Sequence, residues 1–180
     1  MTVERYFGLV EAGVLSEDDR VELLAGVIVA MTPGNPPHDT GVTRATYALV
    51  RAVAERAVVR TQCSLVLGRY SLPEPDVAVV SGSVDDYETR HPETALLVVE
   101  VADSSLQQDR LTKSGIYAAA AIPEYWIVNL RALVLEVMRD PEPARARYRD
   151  VRTLRGGARV ELAALPGVVV AVADLLPGRR

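Results

Sequence analysis

Ala95-Leu96-Leu97-Val98-Val99-Glu100-Val101-Ala102 is an apolar run with a single carboxylate set into it. Its length and valine content read as a strand buried on both faces. A charge in such a strand is costly unless it is paired or bound to a metal. Alone, Glu100 fits a salt bridge to an Arg near a strand end. Two neighbours in sequence change that reading. Upstream, Pro75-Asp76-Val77-Ala78-Val79-Val80 is a second apolar strand that opens on an acid. Downstream comes Asp103-Ser104-Ser105, which suits a helix N-cap, and then a helix expected from about Gln107 to Ala121. Asp109, Lys113 and Tyr117 recur along it at i, i+4 and i+8, so they share one face. Because the helix directly follows the acid-bearing strand, that face borders the strand's end.

The 20 basic residues are 19 Arg and one Lys, and the single Lys is Lys113. Generic surface charge in this chain is therefore arginine. Arginine keeps its charge and forks to anions, whereas lysine presents a compact ammonium whose pKa can shift. A position that stays Lys against this background is a candidate for chemistry, weighed against a Lys that simply lies on a helix surface.

Bulk properties narrow the classes. With 180 residues, one domain spanning 1–180 is expected, long enough to bury a core. Hydrophobic residues are 49% and charged residues 24%, ordinary for a soluble globular chain. Apolar runs such as Val168–Ala173 are far too short to span a bilayer, and Met1–Tyr6 lacks the apolar stretch of a signal peptide. A lone Cys63 excludes an internal disulfide and fits the cytoplasm, and one Cys with two His excludes a conventional structural zinc site. A net charge of −4 argues against a general nucleic-acid coat protein but permits a local basic groove.

The remaining chain supplies further elements. Val3, Tyr6, Phe7 and Val10 form a helical stripe ended by Gly13. Val21–Leu24 and Val27–Met31 flank Ala25-Gly26 as a hairpin. Within that segment Glu22 reads as a solvent-facing strand residue. After the loop 32–37, His38 leads into a long helix with Val42, Ala45, Leu49, Val50, Val53 and Ala57 on its apolar face. His38 there reads as a capping residue or as a phosphate or base contact. Strands are expected over 64–70 and 76–80, with Pro73 and Pro75 keeping the segment between them out of a regular ladder. Asp85, Asp86 and Glu88 read as a solvated loop, since no EF-hand spacing is present. Beyond Pro123, strands are expected at 124–128, 133–138, 147–153 and 168–172, with a short terminal turn at 173–176. Seven Arg lie between Arg139 and Arg159 and read as a solvated edge in preference to a backbone-binding strip.

Two strand acids and a nearby Lys are the groups that metal-assisted phosphodiester hydrolysis requires. Carboxylates hold Mg²⁺, the metal activates a water and stabilises charge on phosphate oxygens, and a Lys beside that water orients or deprotonates it. No P-loop, dinucleotide-binding glycine pattern, nucleophile elbow or Cys/His pairing competes.

These residues resemble the PD-(D/E)XK nuclease superfamily, and more closely its Uma-type family of restriction endonucleases. The matching stretches are Val21–Gly26, Pro37-His38, Pro75–Val79, Val98–Ser105, Asp109, Lys113, Tyr117 and Ile122–Val128, in order along most of the chain. The resemblance implies an α/β (α+β) restriction-endonuclease-like core, a mixed bent sheet flanked by helices. It implies a cytoplasmic Mg²⁺-dependent DNA endonuclease, with Mn²⁺ as a substitute. Asp76 and Glu100 bind the metal, Glu22 is the third acid and Lys113 serves the attacking water. His38, Asp109 and Tyr117 stand behind them. Where the superfamily carries its Lys two residues after the strand Glu, this chain has Ala102, and the Uma-type pattern moves the Lys to the helix. A homodimer is expected by analogy with nucleases that use two subunits for two strands. The rival from another class is a catalytically silent nucleic-acid-binding or regulatory protein that keeps the fold.

Overall fold

The computed structural model describes residues 1–178. Its centre is a six-stranded mixed sheet in the order β3-β4-β5-β6-β7-β8. The strands are β3 (Val58–Thr61), β4 (Val77–Val80), β5 (Leu97–Ala102), β6 (Glu124–Asn129), β7 (Val134–Glu142) and β8 (Arg147–Leu154). Neighbours are antiparallel except β5 and β6, which run parallel. A parallel pair needs a crossover, and the helical segment after β5 provides it. That segment comprises α3 (Leu106–Gln108), a π turn over Asp109–Lys113, and α4 (Ser114–Ala119).

Alternation along β5 divides the core. Leu97, Val99 and Val101 pack with Val42, Ala45, Leu49 and Val53 of α2 (Pro36–Val53) on one face. Val98 and Ala102 pack with Tyr117 and Ala118 of α4 on the other. Glu100 has the parity of that second face, so the periodicity that builds the core aims its carboxylate at the π turn. Every residue of β4, β5 and β6 is buried. The hairpin of β1 (Val21–Leu24) and β2 (Val27–Ala30) lies apart from the sheet and packs with α1 (Val3–Glu11) in a satellite cluster of Val3, Tyr6, Leu23 and Leu72. β9 (Arg159–Glu161), β10 (Val169–Ala171) and α5 (Val172–Leu175) cover the α2 face.

Gly41 sets how closely α2 approaches the sheet. A Cβ there would lie 2.6 Å from Val101 Cγ1, so any larger residue pushes the start of α2 away from β5. The expected strand at 64–70 is not formed. Leu65, Val66 and Leu67 donate instead to the Pro73, Pro92 and Ser71 carbonyls, with a turn at Gly68. The facing segment carries Pro73 and Pro75, which accept but cannot donate, so no two-way ladder forms. The strand that does pair with β4 is β3, which follows α2 after a short 3₁₀ turn (Ala54–Arg56) and which the apolar pattern merges with the helix. The residues Asp103–Ser105 do not cap as expected: the Ser105 hydroxyl donates to Asp109 Oδ2 at 2.6 Å.

Candidate active site

The two strand acids meet through register. Val77 of β4 pairs with Val99 of β5, so Asp76, one residue earlier, stands across from Glu100. The Val101 amide donates to Asp76 Oδ2 at 2.8 Å, and the Asp76 amide lies 3.4 Å from Glu100 Oε2. One backbone ladder therefore fixes both carboxylates, even though 24 positions separate them.

Lys113 comes from the opposite side. It ends the π turn, a helix irregularity that adds a residue to the turn and is common at functional sites. Its Nζ donates to Glu100 Oε1 at 3.0 Å and stands 3.4 Å from Glu22 Oε2. The Tyr117 hydroxyl, one turn on, donates to the same Glu100 Oε1 at 2.8 Å. Glu22 is buried, which corrects its reading as a solvent-facing strand residue, and its Oε2 also accepts from the Glu74 amide at 3.3 Å. Asp109 is buried one turn before Lys113. The structure thus brings together Glu22 from β1, Asp76 from just before β4, Glu100 from β5, Asp109 and Lys113 from the π turn and Tyr117 from α4.

His38 closes the cluster on its outer side. Its Nε2 lies 3.2 Å from Asp76 Oδ2 and its Nδ1 3.3 Å from Asp39 Oδ1. The residue that caps α2 is Asn35, whose side chain accepts from the His38 amide at 3.0 Å and donates to Asp103 Oδ2 at 2.8 Å. Arg131 donates to the other oxygen of Asp103. The end of β5 and the start of α2 are tied together this way, and the tie holds the imidazole over Asp76. Asn35 and Asp103 were not among the candidates from sequence. An Asn followed by two prolines is the signature of a capped helix start, and that signal identifies Asn35.

Exposure shows which side is open. His38 and Asp76 side chains are 21% and 13% accessible, against 9% for Lys113, 4% for Glu100 and 3% for Glu22. His38 and Asp76 therefore form the more exposed side of the cluster. A groove of about 680 Å³ is lined by Arg20, Val21, Gln62, Ser64, Glu74 and His91, among others. The Gln62 amide donates to the Asp76 carbonyl, so the groove borders the cluster without containing its acids.

Burial dominates the electrostatics. It pushes Glu100 up to about 8, against the pull of Lys113, with Asp76, Asp109 and Glu22 adding to the rise. Burial likewise lifts Asp109 to about 6, opposed by the Ser105 hydroxyl and Lys113. On Lys113 burial acts the other way, but Glu100, Glu22 and Asp109 together outweigh it and raise the ammonium above its ordinary value. Hydrogen bonding to Asp76 raises His38 to about 9 despite its partial burial. Lys113 therefore remains an ammonium at neutral pH, and His38 an imidazolium.

The donor set fits a divalent cation. Four acids, Glu22, Asp76, Glu100 and Asp109, face one ammonium and one imidazolium in a mostly dry site, and a cation there would favour the ionised form of Glu100 that burial disfavours. Asp76 Oδ1 accepts no hydrogen bond from the described residues, and Glu100 Oε2 has only the long contact to the Asp76 amide. Among the described residues no group of three or more His, Cys, Asp or Glu is set to hold a metal ion. Mg²⁺ is commonly bound by one or two carboxylates and several waters, and Asp76 and Glu100 are the residues that would hold it.

The same architecture occurs elsewhere. The chain is similar to a crystallised nuclease candidate of the DUF820 group from Anabaena variabilis ATCC 29413, at a TM-score of 0.75 and 14% identity over 97% of both chains. It also has a fainter similarity to the type IIG restriction endonuclease BpuSI, at a TM-score of 0.41 and 18% identity, over 68% of this chain and 14% of that one. No curated protein matches. The sequence pattern of one family, described as "Putative restriction endonuclease", matches residues 3–173. With that match over nearly its whole length, and the restriction-endonuclease-like fold that frames Asp76, Glu100 and Lys113, the chain belongs to the Uma2 family.

Proposed function

We propose that this protein is a metal-dependent DNA endonuclease whose metal is held by Asp76 and Glu100, with Mg²⁺ as the natural ion and Mn²⁺ as a substitute. One observation carries the reading: Lys113, the only lysine, is buried in contact with a strand glutamate that the β4–β5 register sets across from an aspartate. Packing alone does not favour gathering four carboxylates in one place, because like charges raise one another's pKa. The family description supports nucleic acid as the substrate.

A metal held there would supply an activated water and charge stabilisation on the phosphate. The chain's own groups do the rest. Lys113 stays protonated, so it acts as a compact positive charge that orients the water and stabilises the developing negative charge, and it is not the base. Tyr117 and Lys113 both hold Glu100 Oε1, which leaves Oε2 on the side of Asp76. The Val101 amide and His38 hold Asp76 Oδ2, which leaves Oδ1 free. His38 stands at the open side, where its imidazolium meets an incoming phosphate.

The test is a thermal-shift titration with Mg²⁺ and Mn²⁺, followed by nicking of a supercoiled plasmid. The expected result is metal-dependent stabilisation and nicking, with nicking abolished in Asp76→Asn and Glu100→Gln. The second reading is a silent nucleic-acid-binding protein. Its supporting observation is that Lys113 pairs with both Glu22 and Glu100, so these two acids have a cation within the chain itself. Plasmid binding with no metal response and no nicking selects that second reading.

A further inference from the structure

The Glu100 carboxylate divides the cluster into two compartments. Oε1 faces Lys113 and Tyr117, at 3.0 and 2.8 Å. Oε2 faces Asp76. Glu22 lies in the first compartment: its Oε2 is 3.4 Å from Lys113 Nζ and 3.3 Å from the Glu74 amide. The Lys113 ammonium thus stands between Glu22 and Glu100. Lys113 Nζ, 3.0 Å from Glu100 Oε1 and 3.4 Å from Glu22 Oε2, holds the place between these two carboxylates that a cation shared by them would take.

We infer that Glu22 is a positioning residue for Lys113 and not a ligand of the metal. The inference deepens the nuclease reading and rests on it for its catalytic meaning. It replaces the sequence-based expectation of Glu22 as a third metal acid. The physical reason is a clamp. A lysine side chain has four rotatable carbons and a point-like charge, so one carboxylate fixes its distance but not its direction. Two carboxylates from separate elements, the β1 hairpin and β5, fix both. Glu22 is itself held by the Glu74 amide, whose residue lies two positions before Asp76. The hairpin, the segment leading to Asp76 and the π turn are thereby locked around one ammonium.

Because Lys113 is the only lysine, ¹⁵N-lysine labelling gives one side-chain ammonium resonance, and this allows a direct test. Wild type, Glu22→Gln, Glu22→Asp and Asp76→Asn are compared by that resonance, by Mn²⁺ titration calorimetry and by plasmid nicking. In wild type the ammonium protons should exchange slowly with water, as expected for a buried, doubly paired group. Glu22→Gln should shift or broaden the signal away and slow nicking by tenfold or more, while its Mn²⁺ affinity stays within about threefold of wild type. Glu22→Asp, which keeps the charge, should restore part of the signal and of the rate. Asp76→Asn should do the opposite, keeping the resonance and losing Mn²⁺ affinity by tenfold or more. A tenfold loss of Mn²⁺ affinity in Glu22→Gln, or an unchanged ammonium resonance there, overturns the inference. If wild type binds no Mn²⁺, the nuclease reading fails, and the ammonium resonance still decides whether Glu22 holds Lys113. Circular dichroism checks folding, and Glu22→Asp carries the comparison if Glu22→Gln does not fold.

Discussion

Lys113 contributes in two ways that mutation separates. It is the cation between two buried acids, so Lys113→Ala leaves both without their positive partner. Breaking a buried pair from one side costs roughly 3–5 kcal/mol, and urea denaturation of the metal-free protein should read a loss of that order at neutral pH. Lys113→Arg keeps the charge but puts a larger, planar donor into a site that is nearly closed. It should preserve more of the stability yet lower the nicking rate by about a hundredfold, the usual effect of removing one aimed charge-stabilising donor. Near-native nicking in Lys113→Arg contradicts the catalytic role. The burial of Lys113 also revises an expectation natural for a helix-surface lysine, that replacing it leaves stability almost unchanged.

Two further residues make the metal-free protein sensitive to pH in the same direction. Glu100 has its pKa raised by burial, so its contribution to stability is complete below about pH 4.5 and is lost as pH rises through about 8. His38 has its pKa raised by Asp76, so its contribution is present below about pH 6.5 and lost as pH rises through about 9. Stability should therefore fall from the acid side of neutral toward pH 9. Glu100→Gln removes the first term and keeps an oxygen that accepts from Tyr117 and Lys113. Its Tm should match or exceed wild type, with the gap widening from about pH 4.5 to about pH 8 and levelling off above it. A Tm clearly below wild type across that range means that Glu100 serves mainly as a structural salt bridge.

At the level of elements, the site depends on how α2 begins. Asn35 caps the helix and ties it to Asp103, and that places His38 over Asp76. Asn35→Ala should cost about 1 kcal/mol, as N-cap deletions do. Asn35→Asp keeps the cap oxygen but sets a second carboxylate against Asp103 in place of the amide donor. Both variants should nick more slowly than wild type, and equal rates in all three contradict a positioning role for the cap. Much of this element plan was legible in sequence. Apolar runs longer than a turn, such as Leu97–Ala102 and Glu124–Asn129, identify their strands because burial on both faces leaves no other pattern. The face shared by Asp109, Lys113 and Tyr117 was also visible from spacing. The π turn was not, since it is a backbone adjustment that no residue type encodes. Glu22 was misjudged from its own segment because its burial comes from the π turn and the 73–76 segment closing over the hairpin, contacts that lie far away in sequence.

At the level of the molecule, charge distribution limits how the proposed DNA substrate would be held. The β7–β8 edge is rich in arginine, but Arg147 pairs with Glu142, Arg149 with Asp140, and Arg152 with Asp150. A compensated edge has little attraction to spare for phosphate. Replacing all three with Ala should change the slope of log affinity against log salt for a short duplex by less than about 1. A larger change marks that edge as the backbone contact. No helix among the described residues is long and apolar enough to cross a membrane.

The central claim is that Asp76 and Glu100 hold the metal while Lys113 and Glu22 stand apart from it. Anomalous diffraction from crystals of the intact protein soaked in Mn²⁺ tests this most directly. The account predicts one strong peak bounded by carboxylate oxygens of Asp76 and Glu100, with Lys113 still in contact with Glu22. A peak coordinated by Glu22 with Lys113 displaced, or no peak at the Asp76–Glu100 pair, contradicts it.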